Sequence, residues 1–250
     1  MKIVKLVTAL SVGLFLTTNI YGQNSKKTCQ NFNGYVVAAL VDVSEPLSQP
    51  QQLVYERLVR KILAETPGNA RFDLYRIAPN ISGIEPPIIS VCKPWSKFDN
   101  SLVKGEKFWE KKLEKEFFGP VSIEMDRLGR TTNSAQFSPV LESLFSMSLR
   151  SFTGTSGEGT SAGKVYVISD FLQHSPILSF YTPHPNYRAW RSSVDGRSWV
   201  RRFKDVEVVA LVIPRTGKSS LPVSARDFFR EYFQDNFSKE SWKDISAALD

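Results

Sequence analysis

The 250-residue sequence is poor in the residues on which many catalytic sites depend. It has only two cysteines and two histidines. The histidines are His174 and His184, and no Gly-x-Ser-x-Gly segment is present, so a serine–histidine hydrolase has little support. The chain also lacks any run of five or more like charges, so it has no basic tail of the kind that binds nucleic acid. We therefore expect no nucleic-acid partner.

Two segments are similar to phosphate-binding loops, and both lack a required residue. The segment PRTGKSS, residues 214–220, follows a predicted strand, but Val212 stands where the first glycine is needed. The segment GEGTSAGKV, residues 157–165, has Glu158 at a required glycine position. We therefore expect no organic cofactor and predict that the protein is not an enzyme.

The N-terminal segment has the pattern of a secretory signal. A basic head with Lys2 and Lys5 precedes an uncharged, mostly apolar stretch that leads to the small residue Gly22. We predict a signal peptide over residues 1–22 and a single domain over residues 30–240. The protein is then periplasmic or secreted; the alternative is an uncleaved N-terminal membrane anchor.

The cysteines and the net charge are compatible with export. Outside the cytoplasm, Cys29 and Cys92 can form one disulfide between the start and the middle of the domain, although two separate thiols remain the alternative. The formal net charge is +7, and cleavage removes two of the lysines. This modest positive excess favours acidic proteins or anionic envelope surfaces as partners.

Short apolar runs alternate with helical patterns along the chain. The runs predict three strands buried on both faces, over Gly34–Val41, Lys164–Ile168 and Val206–Ile213, a further strand around Phe72 and Leu74, and an edge strand over Ile88–Cys92. Helices are predicted from Ser48, over Leu102–Phe118, over Ser138–Leu149, within Tyr187–Arg202 and from Ser224. This alternation predicts a doubly wound α/β fold: a mostly parallel sheet with helices on both faces, in three α/β/α layers.

Two of the predicted strands end in an aspartate. Asp42 follows the apolar run AALV, and Asp170 follows VYVIS. Between them, Ser138 begins the helical segment SPVLESL. Ligands of doubly wound sheets bind at the carboxyl ends of the strands, so we expect these oxygen-bearing side chains to lie at one edge of the sheet.

These residues resemble the von Willebrand factor type A domains, over roughly residues 34–237. In that family the first strand ends in Asp-x-Ser-x-Ser, a later threonine begins a helix, and the fourth strand ends in aspartate. Asp42, Ser44, Ser138 and Asp170 stand at four of these positions. The resemblance implies a protein-binding domain with a metal-ion-dependent adhesion site, at which the four residues hold Mg²⁺, or else Mn²⁺ or Ca²⁺. The ion's open position would accept an acidic side chain of a partner protein.

Two positions depart from the family pattern. Ser138 replaces the threonine but keeps its hydroxyl, whereas the second departure keeps two alternatives open. Pro46 stands where the family has its second serine, so one hydroxyl ligand is missing. In the first alternative, Asp42 and Ser44 only satisfy backbone donors of a turn, and the chain is a metal-free structural subunit of a cell-envelope assembly. In the second, a metal-assisted hydrolase uses Asp170 or Glu45 as its base.

A segment rich in arginine and aromatic residues follows the second aspartate. Residues 181–203 contain five arginines and four aromatic side chains that bear on partner binding, Tyr181, Tyr187, Trp190 and Trp199. This composition is typical of interface anchors. The alternative is a basic amphipathic helix whose tryptophans belong to the core.

Overall fold

A computed structural model of the chain describes residues 32, 34–77, 85–94, 105–131, 135–153, 161–183, 186–213 and 221–244. Within these ranges six strands form one sheet in the order β3-β2-β1-β4-β5-β6. The strands are β1 (Tyr35–Val41), β2 (Arg71–Arg76), β3 (Ile89–Cys92), β4 (Ala162–Ser169), β5 (Phe203–Val212) and β6 (Phe237–Asp244). All neighbours pair in parallel except β2 and β3. The predicted mostly parallel sheet is confirmed.

Helices connect the strands. They are α1 (Gln49–Glu65), α2 (Glu106–Leu113), α3 (Gly119–Gly129), α4 (Val140–Phe152), α5 (Tyr187–Ser192), α6 (Val194–Arg197) and α7 (Val223–Asn236). A π-helical turn over Glu114–Phe118 joins α2 to α3. In α1, the side chain of Gln51 accepts a hydrogen bond from the backbone N–H of Ser48 at 2.7 Å, as the predicted helix start requires.

Both faces of the sheet are covered, which explains the largely apolar sequences of the central strands. Alternate residues of β1 contribute to two separate core clusters: Val36, Ala38 and Leu40 to one, and Val37, Ala39 and Val41 to the other. The first cluster includes residues of α4 and α7, and the second includes residues of α1 and α3. The three-layer α/β/α fold predicted from the sequence is therefore confirmed.

The direction of winding reverses between β1 and β4. The chain leaves β1 towards β2 on one side, and β4 lies on the other side of β1. The two strands end level, because Val41 pairs with Ile168 and the backbone N–H of Asp42 donates to the Ile168 carbonyl at 2.8 Å. The carboxyl ends of β1 and β4 thus form the crevice in which doubly wound folds bind ligands.

The helix predicted to end at Phe118 continues to Gly129, so that boundary was wrong. The chain passes through Gly119 and Pro120 by way of the π-helical turn, in which the Gly119 N–H bonds the Glu114 carbonyl, five residues back. A proline inside a regular helix removes one hydrogen bond and clashes with the preceding turn. The wider π turn places Pro120 at the start of a new α-helical segment instead, where proline is tolerated.

The C-terminal elements also differ from the prediction. Helix α7 begins at Val223, so Ser224 lies inside it and does not cap it. The helix leads directly into β6, a strand that was not predicted and that pairs in parallel with β5. Strand β6 runs past residue 240, the expected domain boundary.

The aromatic residues of segment 181–203 mostly belong to the core. Tyr187 and Trp190 are buried, and Trp199 packs against the same cluster, whereas Tyr181 is 54% exposed. The segment forms two short helices, α5 and α6, where one was expected. Among these four aromatic residues, Tyr181 is therefore the most suitable interface anchor, and the interpretation stays a prediction.

Several predictions concern residues outside the described ranges. These are the signal peptide, Cys29 and His184. Cys92 is buried at the end of β3, and its disulfide with Cys29 stays a prediction. In the part of the chain that the structure describes, no helix combines the length and the apolar character needed to span a membrane.

Candidate metal site

The carboxylate of Asp42 is the centre of the polar cluster at the carboxyl end of the sheet. Its Oδ1 atom accepts hydrogen bonds from the backbone N–H of Ser44 at 2.9 Å and from the Ser44 hydroxyl. Its Oδ2 atom accepts from the hydroxyls of Ser169 at 2.8 Å and Ser138 at 3.2 Å. One carboxylate thus joins the β1–α1 loop, the start of α4 and the end of β4.

Backbone hydrogen bonds hold these segments together. The Ser44 carbonyl accepts from the N–H of Ala135 at 2.8 Å, which fixes the β1–α1 loop against the chain that leads into α4. Ser138 and His174 exchange two backbone hydrogen bonds of 2.9 Å in an isolated antiparallel bridge. The position of the Ser138 hydroxyl is therefore set by the loop that follows β4.

Asp170 lies beside this cluster. Its Oδ1 atom accepts from the backbone N–H of Leu172 at 2.9 Å, as in an Asx turn. Asp42, Glu45, Ser169 and Asp170 all line one cavity of about 30 Å³, which is room for about two water molecules. The structure therefore links Asp42, Ser44 and Ser138 directly by hydrogen bonds and brings Asp170 to the same cavity.

The chain turns sharply after Asp170 because Phe171 adopts a left-handed conformation, with φ of 57°. This region is unfavourable for a bulky side chain and persists only where packing enforces it. The fully buried Phe171 ring contacts the rings of Phe229 at 5.2 Å and Trp242 at 5.3 Å between centroids. The backbone N–H of Phe171 donates to the Ser169 hydroxyl at 2.9 Å. The aromatic core thereby fixes the turn that presents Ser169 and Asp170.

A buried polar pair supports the same loop from the side of α4. The Gln173 amide donates to the Glu142 carboxyl at 2.8 Å, and its oxygen accepts from the N–H of Leu141 at 2.9 Å. Burial raises the pKa of Glu142. Hydrogen bonds, including those with Ser175 and Gln173, lower this pKa by a smaller amount. This pair ties the first turn of α4, and with it Ser138, to the loop after β4.

A larger groove of about 250 Å³ adjoins the cluster. Ser44 and Ser138 form part of its lining, together with Glu45 and an aromatic wall of Phe137, His174 and Tyr181. Ser44 and Ser138 are candidate metal ligands and also line the groove, so the groove borders the candidate metal site. A ligand in it would lie next to the Asp42 cluster.

Sequence reasoning missed Ser169 and the aromatic wall. Ser169 is the last residue of β4, and once Val41 is placed opposite Ile168 it must lie beside Asp42. The strand register could have identified Ser169, but only if β1 and β4 were already known to be neighbours. The aromatic wall brings together residues from two distant segments, and no local pattern marks it.

The donor set suits a hard divalent cation. Hydroxyls that give their protons to Asp42 keep lone pairs for an ion, and Mg²⁺ prefers carboxylate, hydroxyl and water oxygens. Among the described residues, no group of three or more His, Cys, Asp or Glu side chains is arranged to hold a metal. An ion here would therefore need serine oxygens and water in addition to the aspartates. Pro46 lines the small cavity and offers no hydroxyl to it.

Comparison with known proteins does not place the chain in a family. No protein-family model matches the sequence, and no curated protein matches it. The sheet order and the layers define a general α/β fold, which does not by itself identify a von Willebrand factor type A domain. The family resemblance therefore stays a prediction based on the four site residues.

Proposed function

We propose that the protein is an exported, protein-binding domain of the von Willebrand factor type A kind, with no catalytic role. Its contact surface is the carboxyl end of the sheet, where a divalent cation, Mg²⁺ in the first place, accepts an acidic side chain of the partner. The observation that carries this proposal is the convergence of hydroxyls from three separate segments on the carboxylate of Asp42.

Each residue has a distinct part in this account. The hydroxyl oxygens of Ser44 and Ser138 hold the ion, and Asp42 orients these hydroxyls and supplies negative charge. Asp170 adds a second negative charge from the adjoining cavity, directly or through water. The bound ion supplies a positive charge with an open coordination position. The modest positive charge of the chain also fits an acidic partner or the anionic surface of the envelope.

A metal-free structural subunit of an envelope assembly is the second candidate. It is favoured by the number of hydrogen bonds at Asp42, because four donors already stabilise this carboxylate without an ion. The proline at position 46 points in the same direction, since it removes one hydroxyl. In this account the carboxyl end of the sheet is held together for stability alone.

Titration calorimetry with Mg²⁺ and Mn²⁺ separates the two candidates. We expect saturable binding by the mature domain and none by Asp42→Ala, because that change removes the central carboxylate. Ser138→Ala should weaken affinity by about tenfold, since a neutral oxygen contributes less than a charge. Pro46→Ser should strengthen affinity, because it restores a hydroxyl.

Asp126→Ala is the matched control, since Asp126 is a partly exposed aspartate paired with Arg130 at 2.9 Å on α3. It should bind the ions as the parent does. Capture of partners from envelope extracts with and without a chelator completes the experiment. If the parent binds no ion and the same partners are captured by Asp42→Ala, the metal-dependent account is wrong and the structural-subunit account stands.

A further inference from the structure

The groove beside the Asp42 cluster has a continuous aromatic wall. The His174 ring lies between Phe137 and Tyr181, with centroid distances of 5.3 Å on each side. The rings of His174 and Tyr181 meet edge to face at 71°, and Tyr181 is 54% exposed. Tyr181 is therefore partly accessible to a molecule in the groove.

The rest of the lining is polar and acidic. Glu45, an exposed residue, lines both the groove and the smaller cavity that contains Asp42 and Asp170. Among the described residues that line these two cavities there is no lysine or arginine. Asp42 and Asp170 line the smaller cavity, so Glu45 is the acidic residue of the groove lining. Its exposed carboxylate favours a positively charged occupant of the groove.

An apolar occupant fits the groove less well. Ser44, Ser138, Glu45 and Gln136 share the lining with the rings, and an apolar side chain would displace water from these groups without replacing its hydrogen bonds.

The volume of about 250 Å³ is below the range of about 300–1,000 Å³ that is usual for small-molecule sites. It suits a single long side chain.

We infer that the groove binds an arginine side chain of a partner protein. A guanidinium stacks on aromatic rings and forms two parallel hydrogen bonds to a carboxylate, so Tyr181 and Glu45 match its two modes of recognition. The inference rests on the proposed protein-binding role for the nature of the partner, but it does not use the divalent ion. The partner surface then presents an arginine next to its acidic side chain.

The test uses the mature domain in the presence of EDTA, so that no divalent ion takes part. The probe is Nα-acetyl-arginine-N-methylamide, titrated at millimolar concentrations while backbone amide shifts are followed by NMR. Its neutral counterpart is the citrulline derivative, and a proline derivative represents an apolar occupant. We expect saturable shifts around residues 135–138 and 174–181 with arginine and weak or no shifts with the other two probes.

Variants connect the shifts to the groove. Glu45→Gln and Tyr181→Ala should each weaken arginine binding by about two- to fivefold, as expected for one partly exposed cation–π or ionic contact. Tyr181→Phe keeps the ring and should retain most of the affinity. Phe108→Ala is the control, because Phe108 is 44% exposed on α2 and does not line the groove.

The inference is overturned if citrulline or proline shifts the groove amides as strongly as arginine does. It is also overturned if arginine gives no saturable shift there, or if Glu45→Gln and Tyr181→Ala bind it as the parent does. Because EDTA is present throughout, none of these results bears on the proposed cation. Conversely, a failure to bind Mg²⁺ in calorimetry leaves the arginine groove standing.

Discussion

Asp42 and Asp73 both gather hydroxyl groups, but in different surroundings. Asp73, in the middle of β2, accepts from the hydroxyls of Ser90 at 2.6 Å and Ser151 at 2.8 Å. Its carboxylate also pairs with the guanidinium of Arg71 at 2.9 Å. The four hydrogen bonds to Asp42 described above come from neutral donors, at the point where β1 ends.

The difference separates a structural cluster from a site that a ligand can reach. Asp73 is 2% exposed, and Ser151 extends its network to the hydroxyl of Tyr75 at 2.9 Å. This network joins β2, β3 and α4, and its charge is matched within the protein. Asp42 is half-buried and lines a cavity. Similar side chains can therefore stabilise a fold in one place and present oxygens to a ligand in another.

The largest predicted effect on stability is that of a substitution at Asp73, the structural one of the two aspartates. Asp73→Asn leaves the guanidinium of Arg71 without its carboxylate and weakens the bonds to two serines. We expect the free energy of unfolding to fall by about 2–4 kcal/mol, somewhat less than for a fully buried ion pair because Arg71 is partly exposed. Denaturant unfolding followed by circular dichroism measures this change.

Two matched variants sharpen this prediction. Asp42→Asn should cost about 1 kcal/mol, since it disturbs hydrogen bonds from neutral donors at a half-buried position. Asp126→Asn, at the surface pair with Arg130, should change stability by less than about 1 kcal/mol. An Asp42→Asn variant as unstable as Asp73→Asn would break the comparison, because it would make the carboxyl end of the sheet a structural centre too.

A smaller, pH-dependent effect is expected at the carboxyl group that supports the site. Burial raises the pKa of Glu142 above its ordinary value of 4.5, so the folded protein holds this proton more tightly than the unfolded chain. The protonated Glu142 carboxyl makes its full contribution to the free energy of unfolding below about pH 4.5. This contribution is lost as pH rises through the pKa of Glu142 in the folded protein. Glu142→Gln keeps an acceptor for Gln173 without this dependence.

We therefore expect the free energy of unfolding of Glu142→Gln to rise relative to that of the parent as pH increases above 4.5. Thermal or denaturant unfolding at several pH values gives the difference directly. Glu110→Gln, at an exposed position of α2, should give a difference that does not change with pH in this way. A difference between Glu142→Gln and the parent that stays constant with pH would contradict the raised pKa.

The sequence was sufficient for the parts of the fold that are buried on both faces. The largely apolar runs of β1, β4 and β5 identified the central strands, and the aspartates after β1 and β4 marked the ends that meet in space. Strand β6 escaped detection because its sequence FSKESWKD is largely polar and follows α7 without a turn. An edge strand with one exposed side needs little apolar surface, so periodicity gives a weak signal there.

The candidate site was predicted only in part for a related physical reason. Asp42 and Asp170 were visible because two aspartates, each directly after a buried strand, are less common than one. Ser169 was not, because a serine at a strand end has many ordinary explanations, and its role follows from the pairing of Val41 with Ile168. The groove formed by Phe137 and the loop after β4 depends on contacts between distant segments, which local sequence does not encode.

The central claim is that the carboxyl end of the sheet holds a divalent cation, and crystallography with Mn²⁺ tests it most directly. Crystals of the mature domain grown with Mn²⁺ would be measured for anomalous scattering. The account predicts a peak within direct coordination distance of the Ser44 and Ser138 hydroxyls, and no such peak in crystals of Asp42→Ala. A parent structure with no anomalous peak at this cluster, or with a peak only elsewhere, would contradict it.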